Sequence, residues 1–260
     1  MRTANPALND KILLSQRSRA ATGSQVMTIN GTVAKTFVLL ALLLFSATLV
    51  WRKGLVLLDG QATPQMMEIA FQEMGPWMYG GLFAGLIAGF VTVFKANWAP
   101  VTAPIYALFE GLFIGGISII AEAYFSGIVL QAIGLTFGVL VCLLVAYRTG
   151  IIQVTDKFRA GVIAATGGVV LVYMATMLLG FFGVGIPYIH SAGPIGIGFS
   201  AIVVVIAALN LVLDFDLIES ASNQGMPKYM EWYGGFALMV TLIWLYLEIL
   251  RLLMKLNSRR

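Results

Sequence analysis

Seven long apolar runs divide this sequence, at residues 36–51, 74–94, 101–121, 125–147, 160–183, 194–217 and 232–254. All but the first reach the ~20 residues that a helix needs to cross the hydrocarbon core of a bilayer. The first is short and is expected to draw in neighbours such as Val33 and Leu55. In lipid every backbone N–H and C=O must be satisfied within the protein, which leaves helical bundles and closed barrels. Barrel strands would appear as segments of about ten residues that alternate in polarity, and these runs are continuous. The expected fold is therefore all-α, a polytopic membrane protein with seven transmembrane helices. Composition agrees: 59% of the residues are apolar and 11% are charged, against roughly a quarter charged in a soluble domain.

The flanks divide as residues 1–30, a mobile cytoplasmic N-terminal tail; 31–256, the transmembrane domain; and 257–260, a basic C-terminal tail. The opening stretch is polar and basic and lacks the apolar core and cleavage site of a secretory signal. The single cysteine, Cys142, lies inside an apolar run, so no intrachain disulfide is expected. The net charge of +4 is spread over tails and loops, which suits anionic headgroups and not nucleic acid.

Lys and Arg placement orients the bundle. With the N-terminus inside, ten basic residues fall on the inner side: Arg2, Lys11, Arg17, Arg19, Lys35, Lys95, Arg148, Lys157, Arg159 and Lys228. The outer side holds six: Arg52, Lys53, Arg251, Lys255, Arg259 and Arg260. The expected topology is multi-pass with a cytoplasmic N-terminus, and the basic C-terminus is the evidence against it.

Glycines recur at spacing four: Gly81, Gly85 and Gly89 in the second run, Gly111 and Gly115 in the third, Gly134 and Gly138 in the fourth. That spacing places each set on one helical face, where backbones can approach closely. Packing inside the bundle is the expected use.

Any chemistry must come from ionisable residues at depth, because a charge in the hydrocarbon is costly and usually marks an ion path or a pairing. Glu110 lies midway along its run, with Tyr106 one turn before it and able to hydrogen-bond it. Asp214 lies near the end of the sixth run with Asn210 one turn away on the same face. Asp216 is about 200° round the helix from Asp214 and shares a face with Glu219, so these two are expected on the solvated edge. Glu248 has Arg251 at spacing three, which permits an intrahelical ion pair. Glu231 is expected to be solvated at the mouth of the seventh span, and His190 to be a surface residue of the loop before the sixth. For Glu110, Asp214 and Glu248, an ion-path role and a plain structural hydrogen bond are both open.

Several activities lack their residues. No histidine occurs in any span, so intramembrane serine hydrolysis has no base. One His and one Cys cannot build a zinc site. There is no phosphate-binding loop, no Gly-x-Gly-Asp of an intramembrane aspartyl protease, and no lysine deep in the last span for a retinal Schiff base. The chain is expected to be no enzyme and to need no cofactor.

The blocks VTAPIYALFEGLFIGGIS, RAGVIAATGGVVLVYM, GPIGIGFSAIVVVIAALNLVLDFDLIE and MEWYGGFALMVTLIWLYLEILRLL, in this order, resemble the Bax inhibitor-1-like family and look like a bacterial branch of it. The resemblance implies six helices around a central seventh. It implies a pH-sensitive calcium leak across the bacterial inner membrane, with Ca2+ or H+ as the permeating or sensed ion. The gate it implies is a pair of aspartates on the last two helices. Asp214 matches the sixth-helix aspartate and Glu110 the acid of the third helix. For the seventh helix two alignments are open: one places Glu248 at the second acid, and the other places Thr241 there and leaves no acid. The alternative function is that of a non-conducting regulator that binds a membrane protease or another membrane complex.

Overall fold

The computed structural model describes residues 26–58, 64–183 and 191–259. Most of the N-terminal tail expected over 1–30, and His190, lie outside the described residues. Among the described residues seven α-helices follow one another: α1 Ile29–Leu58, α2 Pro64–Phe94, α3 Ala99–Tyr124, α4 Ile128–Arg148, α5 Asp156–Phe181, α6 Pro194–Asn223 and α7 Met230–Asn257. All seven are long and apolar enough to cross a membrane, and α1 takes in both Val33 and Leu55. Most of the helices extend past their apolar runs, because intrahelical hydrogen bonds continue beyond the hydrocarbon boundary, while α4 starts three residues inside its run and α5 ends two residues inside its own.

The ends are held by specific caps. Thr155 precedes α5 and its hydroxyl accepts from the Phe158 N–H, the usual N-cap bond. Between α3 and α4 the chain turns at Gly127, whose φ of 81° costs little only without a Cβ. The Glu122 carboxylate accepts from the N–H groups of Gly127 and Val129, so this acid fastens the turn.

Two compact units organise the described residues. The first comprises Leu130–Leu217 and the chain from Val240 on, and the second runs up to Val129 and includes Ile218–Met239. In the second unit α1, α2 and α3 pack closely. The Phe109 carbonyl of α3 lies 2.5 Å from where a Cβ on Gly81 would be. Gly89 faces the Tyr106 ring, while Gly111 and Gly115 of α3 sit against the backbone of α1 at Leu43 and Ala47. These two glycine stripes do the packing expected of them. The stripe of α4 does not: a Cβ on Gly134 or Gly138 would meet no atom within 4 Å. That expectation is corrected, since spacing identifies a smooth face and not its partner.

α7 has the largest buried share of the seven spans, 67% of its apolar window against 11–56% for the others. In the second unit its N-terminal half meets α1 at Gly235 and Thr36 and α3 at Phe236 and Tyr106. In the first unit its C-terminal half bonds to α5 and α6.

Candidate functional site: buried carboxyls of the bundle

The first unit holds three of the acids singled out in the sequence, and the structure separates them by partner. Asp214 is 1% exposed, and its Oδ2 accepts a hydrogen bond of 2.6 Å from Thr241 Oγ1 on α7. Of the two alignments open for the seventh helix, the geometry has the one that sets Thr241 opposite Asp214. Glu248 lies seven residues further along α7, ~10 Å by helical rise, and belongs to a different cluster.

That cluster joins α5 to α7. Arg251 Nη1 donates to Glu248 Oε1 at 2.8 Å and to Tyr173 Oη at 2.6 Å, and the Tyr173 hydroxyl donates to Glu248 Oε1 at 2.9 Å. The Arg251 guanidinium lies 5.2 Å from the centre of the Tyr173 ring. Glu248 is 2% exposed, and an ionised carboxyl at that burial is tolerable only with such a cation beside it. The pairing with Arg251 is the one its spacing permits. Tyr173 carried no sequence signal, since it sits in an ordinary apolar run and approaches Glu248 only through tertiary packing.

Asp216 was expected to be a solvated edge residue. It is instead bonded by Arg159 Nη2 of α5 at 2.6 Å, with its side chain 24% exposed. The expectation is corrected because tertiary packing sets Arg159 of α5 beside this end of α6, a contact that spacing along the sequence does not record. Asn210 is buried, but its amide donates to Thr166 Oγ1 on α5 and to the Ile206 carbonyl, both at 2.8 Å. Its contribution is thus an α5–α6 link.

Lys255, which the sequence places only among the basic residues of the outer side, is buried. It is 7% exposed, and its Nζ donates to the Gly196 carbonyl and to Ser200 Oγ in the first turns of α6. Its spacing of four from Arg251 was the available signal, because that puts both cations on the face of α7 that carries Glu248.

The second unit holds Glu110 and Glu231. Glu110 is buried, and its Oε2 lies 2.7 Å from where a Cβ on Gly85 would be; the α2 glycine makes room for the carboxyl. Tyr106 packs its ring edge-on to Phe236, 5.0 Å between centres. Among the described residues no hydrogen bond joins Tyr106 to Glu110. Glu231, expected to be solvated, is 1% exposed. It accepts from the N–H and the hydroxyl of Thr28 at 3.0 and 2.9 Å and from Lys228 Nζ at 2.7 Å. Its carboxylate sits at the N-terminus of α1, where unpaired N–H groups and the helix dipole favour an anion. That site exists only once α1 and α7 are docked, so the sequence position of Glu231 at a helix mouth could not reveal it.

A seven-span helical membrane protein with carboxyls enclosed in its bundle, one of them bonded from the sixth helix to the seventh, is the class these features define. The chain belongs to the Bax inhibitor 1 like family, whose sequence model matches residues 5–258. No curated protein and no solved structure matches it.

Proposed function

We propose that this protein is a pH-sensitive cation leak, with calcium as the conducted ion, in which Asp214 is the protonation switch. The observation that carries this reading is the Asp214–Thr241 bond. Asp216 and Glu248 are held by guanidinium groups, and Asp214 accepts the hydroxyl hydrogen bond of Thr241 from the next helix. A neutral carboxylic acid fits such a site, since it can accept from the threonine without placing a charge in an apolar interior. Loss of the proton puts a negative charge against α7. The contact must then admit water or a cation, and oxygen donors from Asp and Thr suit a hard cation such as Ca2+. Leak therefore rises as pH rises through the titration of Asp214.

The proposed setting is the bacterial inner membrane with the N-terminus cytoplasmic. The basic C-terminus weighs less against this than charge counting implied. Arg251 and Lys255 are used within the protein, so they do not act as free topogenic charges.

Proteoliposomes holding a calcium-sensitive dye test the reading. The wild type should leak increasingly as pH rises, and Asp214→Asn, which keeps an oxygen acceptor for Thr241, should leak at one rate at every pH. A purified wild type with no flux at any pH would leave the alternative, a regulator that binds a membrane protease or another membrane complex.

A further inference from the structure

The first unit contains a groove of about 250 Å³ between α5 and α6. Its walls are Phe158, Gly161, Val162 and Ala165 of α5 with Ile206 and Leu209 of α6, and Lys157 stands at one end. Five of these six wall residues have purely hydrocarbon side chains or an aromatic ring, and the sixth, Gly161, presents bare backbone; a Cβ there would meet nothing within 4 Å.

The direction of the groove relative to the span is informative. α5 begins at Asp156 and is apolar enough to cross a membrane, so Lys157, in its first turn, lies at the level of the interface. Ala165 is eight residues on, ~12 Å deeper by helical rise, at the level of hydrocarbon. The groove thus has a cationic end at headgroup height and an apolar end at acyl-chain height.

Among the described residues the charge at its mouth has no ion-pair partner. Arg159 is engaged by Asp156 at 3.6 Å and by Asp216 at 2.6 Å, whereas among the described residues no acid pairs with the exposed Lys157. Arg148, at the end of α4, places a further exposed cation at the same short connection. The walls are also fixed in advance. Arg159–Asp216 and Asn210–Thr166 both tie α5 to α6, so occupancy need not order the site.

We propose that this groove binds one anionic phospholipid, with its headgroup phosphate on Lys157 and part of one acyl chain along Gly161 and Ala165. Charge complementarity selects the anionic headgroup, and the apolar walls at depth select a chain over a free phosphate. The inference does not depend on ion conduction.

Native mass spectrometry of the full-length protein in detergent, titrated with equimolar phosphatidylglycerol and phosphatidylcholine of matched chains, tests it. One phosphatidylglycerol should bind in preference to phosphatidylcholine. Lys157→Gln should weaken phosphatidylglycerol about fivefold, the value of one interfacial lysine, and leave phosphatidylcholine unchanged. Gly161→Leu grows into the groove from a Cβ position that meets nothing within 4 Å and should remove the bound lipid of either kind. Equal binding of the two lipids by the wild type, or a preference that Lys157→Gln does not change, means bulk annular lipid only and overturns the proposal. Retention of the lipid by a folded Gly161→Leu, with the wild-type melting temperature, overturns it as well.

Discussion

Asp214 of α6 and Thr241 of α7 are joined by a 2.6 Å hydrogen bond, and both side chains are buried, at 1% and 5% exposure. This bond joins one carboxyl to one hydroxyl across the last two helices. Two carboxyls this close would share a proton and titrate in two coupled steps. The pH profile of calcium leak should accordingly follow a single step in the wild type. Thr241→Asp should broaden it into two steps. Thr241→Val, which removes the donor, should lower stability by about 1–3 kcal/mol, read from thermal unfolding in detergent.

The Tyr173–Glu248–Arg251 cluster should behave as a unit, because each member bonds the other two. Arg251→Met should destabilise by about 1–3 kcal/mol by leaving a buried carboxyl without its cation, and Tyr173→Phe by about 1 kcal/mol. In the double variant the costs should add to less than their sum, since either change already breaks the network. A double-mutant cycle of unfolding free energies checks this, and strict additivity would contradict a shared network.

At the start of α1, a Cβ on Gly31 would occupy the space of the Glu231 carboxylate. Gly31→Ala should cost about 1–3 kcal/mol, the usual range for overpacking, despite the better helix propensity of alanine. Adding Glu231→Ala should recover part of that loss, because the clash is with that side chain. Melting temperatures of the two single variants and the double variant decide the matter.

Glycines with the same sequence spacing should respond oppositely to alanine. Gly81→Ala drives a methyl into the Phe109 carbonyl, a backbone atom that cannot step aside, and should be the most damaging. Gly85→Ala meets the Glu110 carboxyl, which can rotate, and should cost less. Gly134→Ala and Gly138→Ala meet nothing and should be neutral or stabilising by up to about 1 kcal/mol through helix propensity. Yield and melting temperature of the four variants give the ranking.

The seven helices were legible in the sequence because the bilayer imposes a strong local rule. A span needs a continuous apolar stretch of fixed length and an internally bonded backbone, and both can be counted along the chain. The Glu248–Arg251 pair was legible for a related reason, since partners three residues apart on one helix are set by helical geometry alone.

What lay beyond the sequence was each contact between helices. Asp216 looked solvated until Arg159 of α5 was placed beside it. Glu231 looked like a wet helix mouth until α1 brought its N–H groups to the carboxylate. The α4 glycines looked like packing residues and face open space. The partner of Asp214 could have been Glu248 or Thr241, and only the register of α7 against α6 chose Thr241. Apolar periodicity constrains how a helix turns its face but hardly constrains its sliding along a neighbour, and a slide of one or two turns exchanges every polar partner. Hydrocarbon thickness is thus written residue by residue into this chain, while the pairing of its buried charges is settled by side-chain packing among helices distant in sequence.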